Sequence, residues 1–557
     1  MTLTFDEHAQ EAEIENARLA EEEDVQEILS QKYGMQYVDL HMLPISGEAL
    51  RLIPEKEAQK AQVAAFDIAG KHVSVAIHNP NDEYVQKVMD GLTDRGYIVK
   101  KFLVSERSMR KVLKRYDDLS FSSGSAVGVF DISAEELLKL SKELKNIDAL
   151  RKHITSLEQQ KDLTKISRLL EYILAGAFST RASDIHLEPG DKGITIRFRI
   201  DGLLTIIATI PPHLYKLIDS RLKILSGLKL NVRDRAQDGR FSVALENKDI
   251  EIRVSLIPNA YGESFVLRIL DPSSIKVSFE QLGIHPKLLK RLKEEITRPN
   301  GMLLTTGPTG SGKTTTLYAF LKAITHPDIK IITIEDPIEY HLEGIVQTQT
   351  KTKVYTFSSG LRSIVRQDPD VIMVGEIRDN ETAGIAMQAA LTGHFVFSTL
   401  HTNNAAGTFP RFADLGVDPK EFASAITVSM AQRLVRKLKP DAKKQVPLTE
   451  VQKRTVKKVL STVEDKSLLP KNFDTTWVPE TQDDDDTGYH GRVGLYEAIF
   501  MDNEMGMFLR DNPSEADIVK KARKQGYLTM AQDGVLKALS GETTLDEVNR
   551  VVDLERD

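Results

Sequence analysis

The chain of 557 residues is 41% hydrophobic and 28% charged, carries a formal net charge of -7 and contains no cysteine. A chain of that length holds roughly three or four domains, each with its own core. The composition excludes disulfides, thiolate metal ligands and thiol catalysis. It gives no electrostatic reason to expect nucleic acid, and no run approaches the roughly 18 apolar residues of a membrane span.

The first residues, Met1 to Glu7, lack the basic start and apolar core of a signal peptide, so a cytoplasmic protein is expected, able to sit on a membrane through a partner. Residues 7–25 are acidic, with Glu21-Glu22-Glu23-Asp24 near their end, and read as a helix or frayed arm. From Val25 to Tyr116 short helices and strands alternate. His72 to Ile77 has strand alternation, Asn79-Pro80-Asn81-Asp82 is a turn, and Asp82 suits the cap of the helix that follows. No spacing there suits catalysis, and residues 1–116 read as a docking domain with an acidic leader, a purely structural appendage being the alternative. Between 117 and 159, Asp118 to Ser125 is serine- and glycine-rich and reads as a hinge. Ile132 to Leu150 reads as a linking helix or one that pairs with a partner. A further helix is expected over Leu163 to Gly176.

Residues 160–275 form the next unit. Arg181 to Pro189 leads into Ile194 to Gly202, where apolar and polar side chains alternate, and the pattern returns in Ile250 to Leu256 and Phe265 to Ile269. A half-exposed sheet with arginines on its open face follows. Gln237-Asp238-Gly239-Arg240 reads as a tight turn between those strands.

Within 276–440, Gly307-Pro308-Thr309-Gly310-Ser311-Gly312-Lys313-Thr314 satisfies the phosphate-loop pattern Gly-x-x-x-x-Gly-Lys-Thr. An apolar strand, Met302 to Thr306, precedes it, and a helix is expected from Thr315 to Ile324. Glycines let backbone N–H groups face the phosphates, and the helix N-terminus adds partial positive charge. Lys313 reaches the β and γ phosphates and the Thr314 hydroxyl holds Mg²⁺; Gly307 through Thr315 are the nucleotide-binding candidates. The strand Lys330 to Ile334 ends in Glu335-Asp336-Pro337-Ile338-Glu339, and Val371 to Val374 ends in Gly375-Glu376. Acids at the carboxyl ends of parallel strands face the ligand crevice. One carboxylate must orient water, and Glu376 suits Mg²⁺, directly or through water. His394 and His401 flank the strand Phe395 to Leu400 and read as a nucleotide sensor or as core residues. Arg362 and Arg366, four apart on a helix, are γ-phosphate or interface candidates, or ordinary surface arginines. Beside such a site the sheet arginines of the second unit suit a γ-phosphate, delivered by a moving domain or a neighbouring subunit.

Taken in order, these blocks resemble the secretion ATPases of the type II secretion and type IV pilus systems, the GspE/PilB kind, over residues 160–550 and more weakly over 30–110. The resemblance implies an α/β fold: a RecA-like P-loop ATPase core preceded by a PAS-like α/β domain and a small N-terminal α/β domain. It makes Glu339 the catalytic glutamate of the Asp box, Glu376 the acid of an atypical Walker B, and His394 and His401 members of the His box. It also makes Arg240 and Arg253, with Arg362 and Arg366, the γ-phosphate-responsive arginines. ATP and Mg²⁺ are the implied ligands. The implied assembly is a homo-hexamer at the cytoplasmic face of the inner membrane, docked on a cytoplasmic assembly-platform component. It drives an inner-membrane platform protein that adds pilins to a fibre. Type IV pilus assembly is the first expectation, a type II secretion pseudopilus the alternative, and a DNA-translocating ring a third; no nucleic-acid partner is expected.

Two departures qualify the resemblance. Where relatives carry zinc-binding cysteine pairs, this chain has Lys439-Pro440-Asp441-Ala442 and Gln482-Asp483-Asp484-Asp485-Asp486. No zinc is therefore expected, the aspartates read as a solvated loop, and the helical subdomain 441–557 is held by packing. Arg18-Leu19-Ala20 lacks the glycine of the cyclic-dinucleotide repeats of some relatives, and no such binding is expected. Toward the end, Arg492 to Phe500 reads as a strand and helix start, Gly541 as a helix stop and Thr543-Thr544 as the cap of the last helix.

Overall fold

The computed structural model describes residues 25–40, 45–120, 147–158, 165–271, 277–481 and 487–555, apart from 27, 51, 70, 246–247 and 472, with short pieces at 129–130, 139–140 and 143–144. The acidic leader, Arg18-Leu19-Ala20, the stretch Phe121 to Ser125 and the four aspartates lie outside the described residues. The chain divides into two compact units, residues 1–126 and 127–557.

The first unit is built on β1 (Gln36–Tyr37), β2 (Val63–Ala69), β3 (His72–Ile77) and β4 (Ile98–Leu103), in the order β1-β4-β3-β2. Strands β2 and β3 form an antiparallel hairpin, while β3–β4 and β4–β1 are parallel. Asp82 caps the helix Glu83–Asp94 by accepting from the Tyr84 N–H at 2.9 Å. The helix Glu106–Ser120 extends into the expected hinge. Its apolar stripe, Met109, Val112 and Tyr116, is buried, and the Tyr116 hydroxyl donates to Leu50 O at 3.0 Å. That helical period carries the chain past Asp118 before the serine-rich composition can break it.

The second unit begins with a seven-stranded sheet. Its members are β5 (Val129–Phe130), β6 (Asp184–Gly190), β7 (Gly193–Ile200), β8 (Leu203–Ile210), β9 (Gln237–Leu245), β10 (Lys248–Asn259) and β11 (Gly262–Leu270), in the order β5-β9-β10-β11-β6-β7-β8. Alternation along these strands buries Ile185, Ile196, Phe198, Ile252 and Phe265 in one core with the helices Lys165–Ser179 and Pro212–Leu225. Gln237 to Arg240 opens β9 instead of forming a tight turn. Gly239 is needed for close approach: a Cβ there would stand 2.3 Å from Ser226 O. The core also holds Lys223, fully buried, paired with Glu263 and 3.6 Å from Asp219. Lys223→Ala leaves those carboxylates facing, among the described residues, only the exposed Arg233, 4.0 Å from Glu263, and is expected to destabilise this domain by about 3–5 kcal/mol, measurable as a lower urea midpoint. An unchanged midpoint would show that the carboxylates are neutral without the lysine.

The remaining strands are β12 (Gly301–Thr306), β13 (Ile331–Glu335), β14 (Val346–Gln349), β15 (Val371–Val374), β16 (Phe395–Leu400), β17 (Ile426–Leu438), β18 (Lys443–Pro447), β19 (Thr475–Pro479) and β20 (Tyr489–Phe500). Seven of them form a sheet in the order β14-β13-β15-β16-β12-β17-β20, parallel except for the antiparallel β17–β20 pair. Its central strands are continuous apolar runs because helices cover both faces. Residues 441–557 are not only helical: they contribute β20 to this sheet and the β18–β19 pair beside it. Arg492 to Phe500 is strand throughout. Gly541 ends the helix Met530–Ser540 at φ 80°, and the Thr544 side chain caps Leu545–Val551. Among the described residues no helix is long and apolar enough to cross a membrane.

Candidate functional site

The site is built where the parallel strands end. Strand β12 runs into Gly307, and the helix Lys313–Ile324 starts at Gly312, whose φ is 88°. Gly307 has φ 147°, and a Cβ there would stand 2.6 Å from Gln432 O and 2.7 Å from Ser311 Oγ. Gly310 has φ 79° and open space around it, so the loop presents a concave backbone to solvent. Lys313 Nζ donates to Gly307 O at 2.7 Å and Pro308 O at 3.2 Å. Burial lowers its pKa to about 8; the Glu376 carboxylate opposes that shift and the Arg433 charge adds to it. Ser311 Oγ is buried and has no hydrogen-bond partner among the described residues. Thr314 stands exposed in the first helical turn. A cradle of glycine backbone, a lysine resting on carbonyls and an unsatisfied hydroxyl fit a nucleotide polyphosphate with Mg²⁺.

The carboxyl ends of three further parallel strands lie on the loop's side of the sheet. After β15, Glu376 accepts from Arg378 at 2.7 Å and lies 3.3 Å from His401, which follows β16. After β13, Glu339 lies 3.4 Å from Arg253 Nη1 of the preceding domain, and Arg253 Nη2 donates to Ile338 O at 2.8 Å. An arginine of the exposed sheet face therefore reaches one acid of the ATPase-type core, Glu339. Glu335, by contrast, is a buried structural acid. It accepts from Tyr318, from Thr333 Oγ1 at 2.5 Å and from Gln347 Nε2 at 3.1 Å.

Other candidates stand elsewhere. Arg240 is exposed and lies directly across from Arg253, which in turn faces Arg268. Asp184 anchors the far side of that row, 3.1 Å from Arg268 and 3.3 Å from Arg199. His394 sits at the start of β16 with Nδ1 3.1 Å from Ala389 O. The intervening strand is about 20 Å long, so the histidines do not form a pair and only His401 joins the acids. Arg362 pairs with Glu381 at 2.7 Å, and Arg366 donates to Arg362 O at 2.9 Å at the end of its own helix. Both are exposed on the surface of the core's helical layer.

Two residues without a sequence-based role complete the site. Beyond the last β12–β17 pair, Thr306 with Ala431, the chain places Gln432 and Arg433 against the phosphate loop. Gln432 is fully buried and donates to Ser311 O at 2.6 Å, while Arg433 Nη2 donates to Asn403 O at 2.8 Å. Among the described residues no group of three or more His, Cys, Asp or Glu is placed to hold a metal; Gln482 to Asp486 are not among those residues.

Comparison with known proteins decides the family. The model of the type II/IV secretion system protein family matches residues 159–550. The chain belongs to this family of secretion ATPases. The MshEN domain model matches residues 33–122. The type IV pilus assembly ATPase PilB of Myxococcus xanthus is 36% identical over 533 residues, covering 95% of this chain and 91% of the relative. The type II secretion system protein E of Pseudomonas aeruginosa is 43% identical over 396 residues, covering 71% of this chain and 77% of the relative. The solved structure of the Yersinia pseudotuberculosis ATPase DotB has a TM-score of 0.51 at 19% identity, covering 72% of this chain and 95% of its own. That likeness concerns the fold alone. This secretion ATPase is thus an ATP-hydrolysing enzyme with a RecA-like P-loop core behind an N-terminal accessory domain.

Proposed function

We propose that this secretion ATPase is the hexameric motor of a type II secretion system, turning ATP hydrolysis into pseudopilus assembly at the cytoplasmic face of the inner membrane. Its N-terminal domain docks on a cytoplasmic platform component, and its stroke acts on an inner-membrane platform protein. This reverses the pilus-first expectation, because type II secretion relatives recur at higher identity than the pilus relative. Pilus assembly remains the second reading, favoured by the relative that covers 95% of the chain. The PAS-like character of the second domain belongs to the same proposal.

One observation carries the motor reading: Arg253 of the sheet domain reaches Glu339 of the core, 3.4 Å away. Gly307 to Thr315 wrap the phosphates, Lys313 neutralises the β and γ groups, and Thr314 with Glu376 would hold Mg²⁺. The metal supplies charge neutralisation at the transferring phosphoryl group. Glu339 orients water and takes its proton. Arg253 and Arg240 bring positive charge from the second domain, so catalysis depends on where that domain stands. His401 reads the position of Glu376 through its 3.3 Å contact. Within one chain no role falls to Arg362, Arg366 or His394, whose contacts are with Glu381, Arg362 O and Ala389 O.

The test is deletion of the gene in its host, complemented with wild type or Lys313→Ala. Loss of exoprotein release with surface pili intact is expected. Loss of pili with release intact would move the assignment to the second reading, and loss of neither would overturn both.

A further inference from the structure

The guanidinium of Arg433 is half-buried at the base of the phosphate loop, with the Glu497 carboxylate in its electrostatic neighbourhood. Its donors go to backbone oxygens, Nη2 to Asn403 O at 2.8 Å and Nη1 to Gln432 O at 3.1 Å. The Glu497 carboxylate offsets part of the cost of burying this cation, and an arginine has five donors of which these two carbonyl bonds use only part, so capacity remains for an anion. The position is tightly defined. Nη1 stands 3.1 Å from where a Gly307 Cβ would be, so the glycine leaves the space the guanidinium fills. Asn403 follows His401 by two residues, and Thr402 N donates to Thr306 Oγ1 at 2.8 Å, which fixes that loop to the end of β12. Burial depresses the Arg433 pKa against the opposing Glu497 carboxylate, and the Arg433 charge in turn depresses that of Lys313, which places the two cations in one electrostatic neighbourhood with Glu376.

We propose that Arg433 is a second in-chain cation for the bound polyphosphate, meeting its β–γ end beside Lys313 while tying the His401 loop to the phosphate loop. The inference rests on the nucleotide reading of this site. Arg433 exchanges part of its carbonyl bonding for a phosphate oxygen, and a planar, multidentate donor there favours the more highly charged triphosphate. Gln432, which holds the loop at Ser311, is the adjoining structural piece and does not carry the charge.

The experiment is equilibrium binding of fluorescent ATP and ADP analogues to the full chain as wild type, Arg433→Lys and Arg433→Gln, with thermal midpoints measured in parallel. Arg433→Gln is expected to weaken ATP binding about tenfold or more and ADP binding by less, so that discrimination between them falls. Arg433→Lys should recover part of it. Equal weakening for ATP and ADP with a lowered midpoint would reduce Arg433 to a structural clamp and overturn the proposal. Binding unchanged in Arg433→Gln would overturn it as well. Failure of the wild type to bind either analogue would instead defeat the nucleotide reading on which it rests.

Discussion

Glu339→Gln is expected to lower kcat for ATP hydrolysis by about 10²–10⁴-fold, the range for losing a positioned general base, while ATP binding stays within a few fold. The reasoning starts from geometry. Glu339 follows β13 at the crevice, exposed enough to meet water, and its visible partner is Arg253 at 3.4 Å. The amide side chain keeps the size and can still accept from that arginine, but it cannot take a proton. Glu335, four residues earlier, offers no substitute because its oxygens are committed to Tyr318, Thr333 and Gln347. Phosphate release and analogue binding measured on the same preparation check this. A loss below tenfold would mean that another group orients the water, with Glu376 the next to test.

Lys313→Ala should weaken ATP binding by about 10²–10⁴-fold, because two charge-assisted contacts of about 1.5–3 kcal/mol each are lost. The same lysine sets a pH dependence. In the free protein its pKa is lowered to about 8, chiefly by burial; polyphosphate beside it favours the charged form and raises that value. Affinity that depends on the charged lysine is therefore fully present below pH 8. It falls by up to about tenfold per pH unit above 8, until the bound-state pKa is reached. Binding isotherms at pH 7, 8 and 9 should show that slope in wild type, and Lys313→Ala should lack it. Parallel slopes in both proteins would assign the dependence to the nucleotide or to another group.

Much of this architecture was readable in the chain because its signals are local. The phosphate loop combines required glycines with a following helix, and the strands Met302 to Thr306 and Phe395 to Leu400 are short, mostly apolar runs of the kind buried in a sheet covered on both faces. Non-local features were not readable in the same way. Asp238-Gly239 looks like a turn dipeptide, but the glycine answers to Ser226 O pressing on β9. Gln432 touches Ser311 across 121 residues of sequence, and nothing short of the β12–β17 pairing reveals it. Strand β20 joins the core sheet from beyond a composition change that resembles a domain boundary. The separation of His394 from His401 was implicit in the length of the strand between them, which puts one at its amino end and the other past its carboxyl end.

The central claim is that an arginine of the second domain acts on a nucleotide held by the core. Single-turnover ATP hydrolysis by Arg253→Ala, at saturating nucleotide and with oligomeric mass measured alongside, tests it most directly. The account predicts normal assembly and retained ATP binding with a chemical step slowed at least about a hundredfold. A wild-type rate in the assembled Arg253→Ala protein would contradict it.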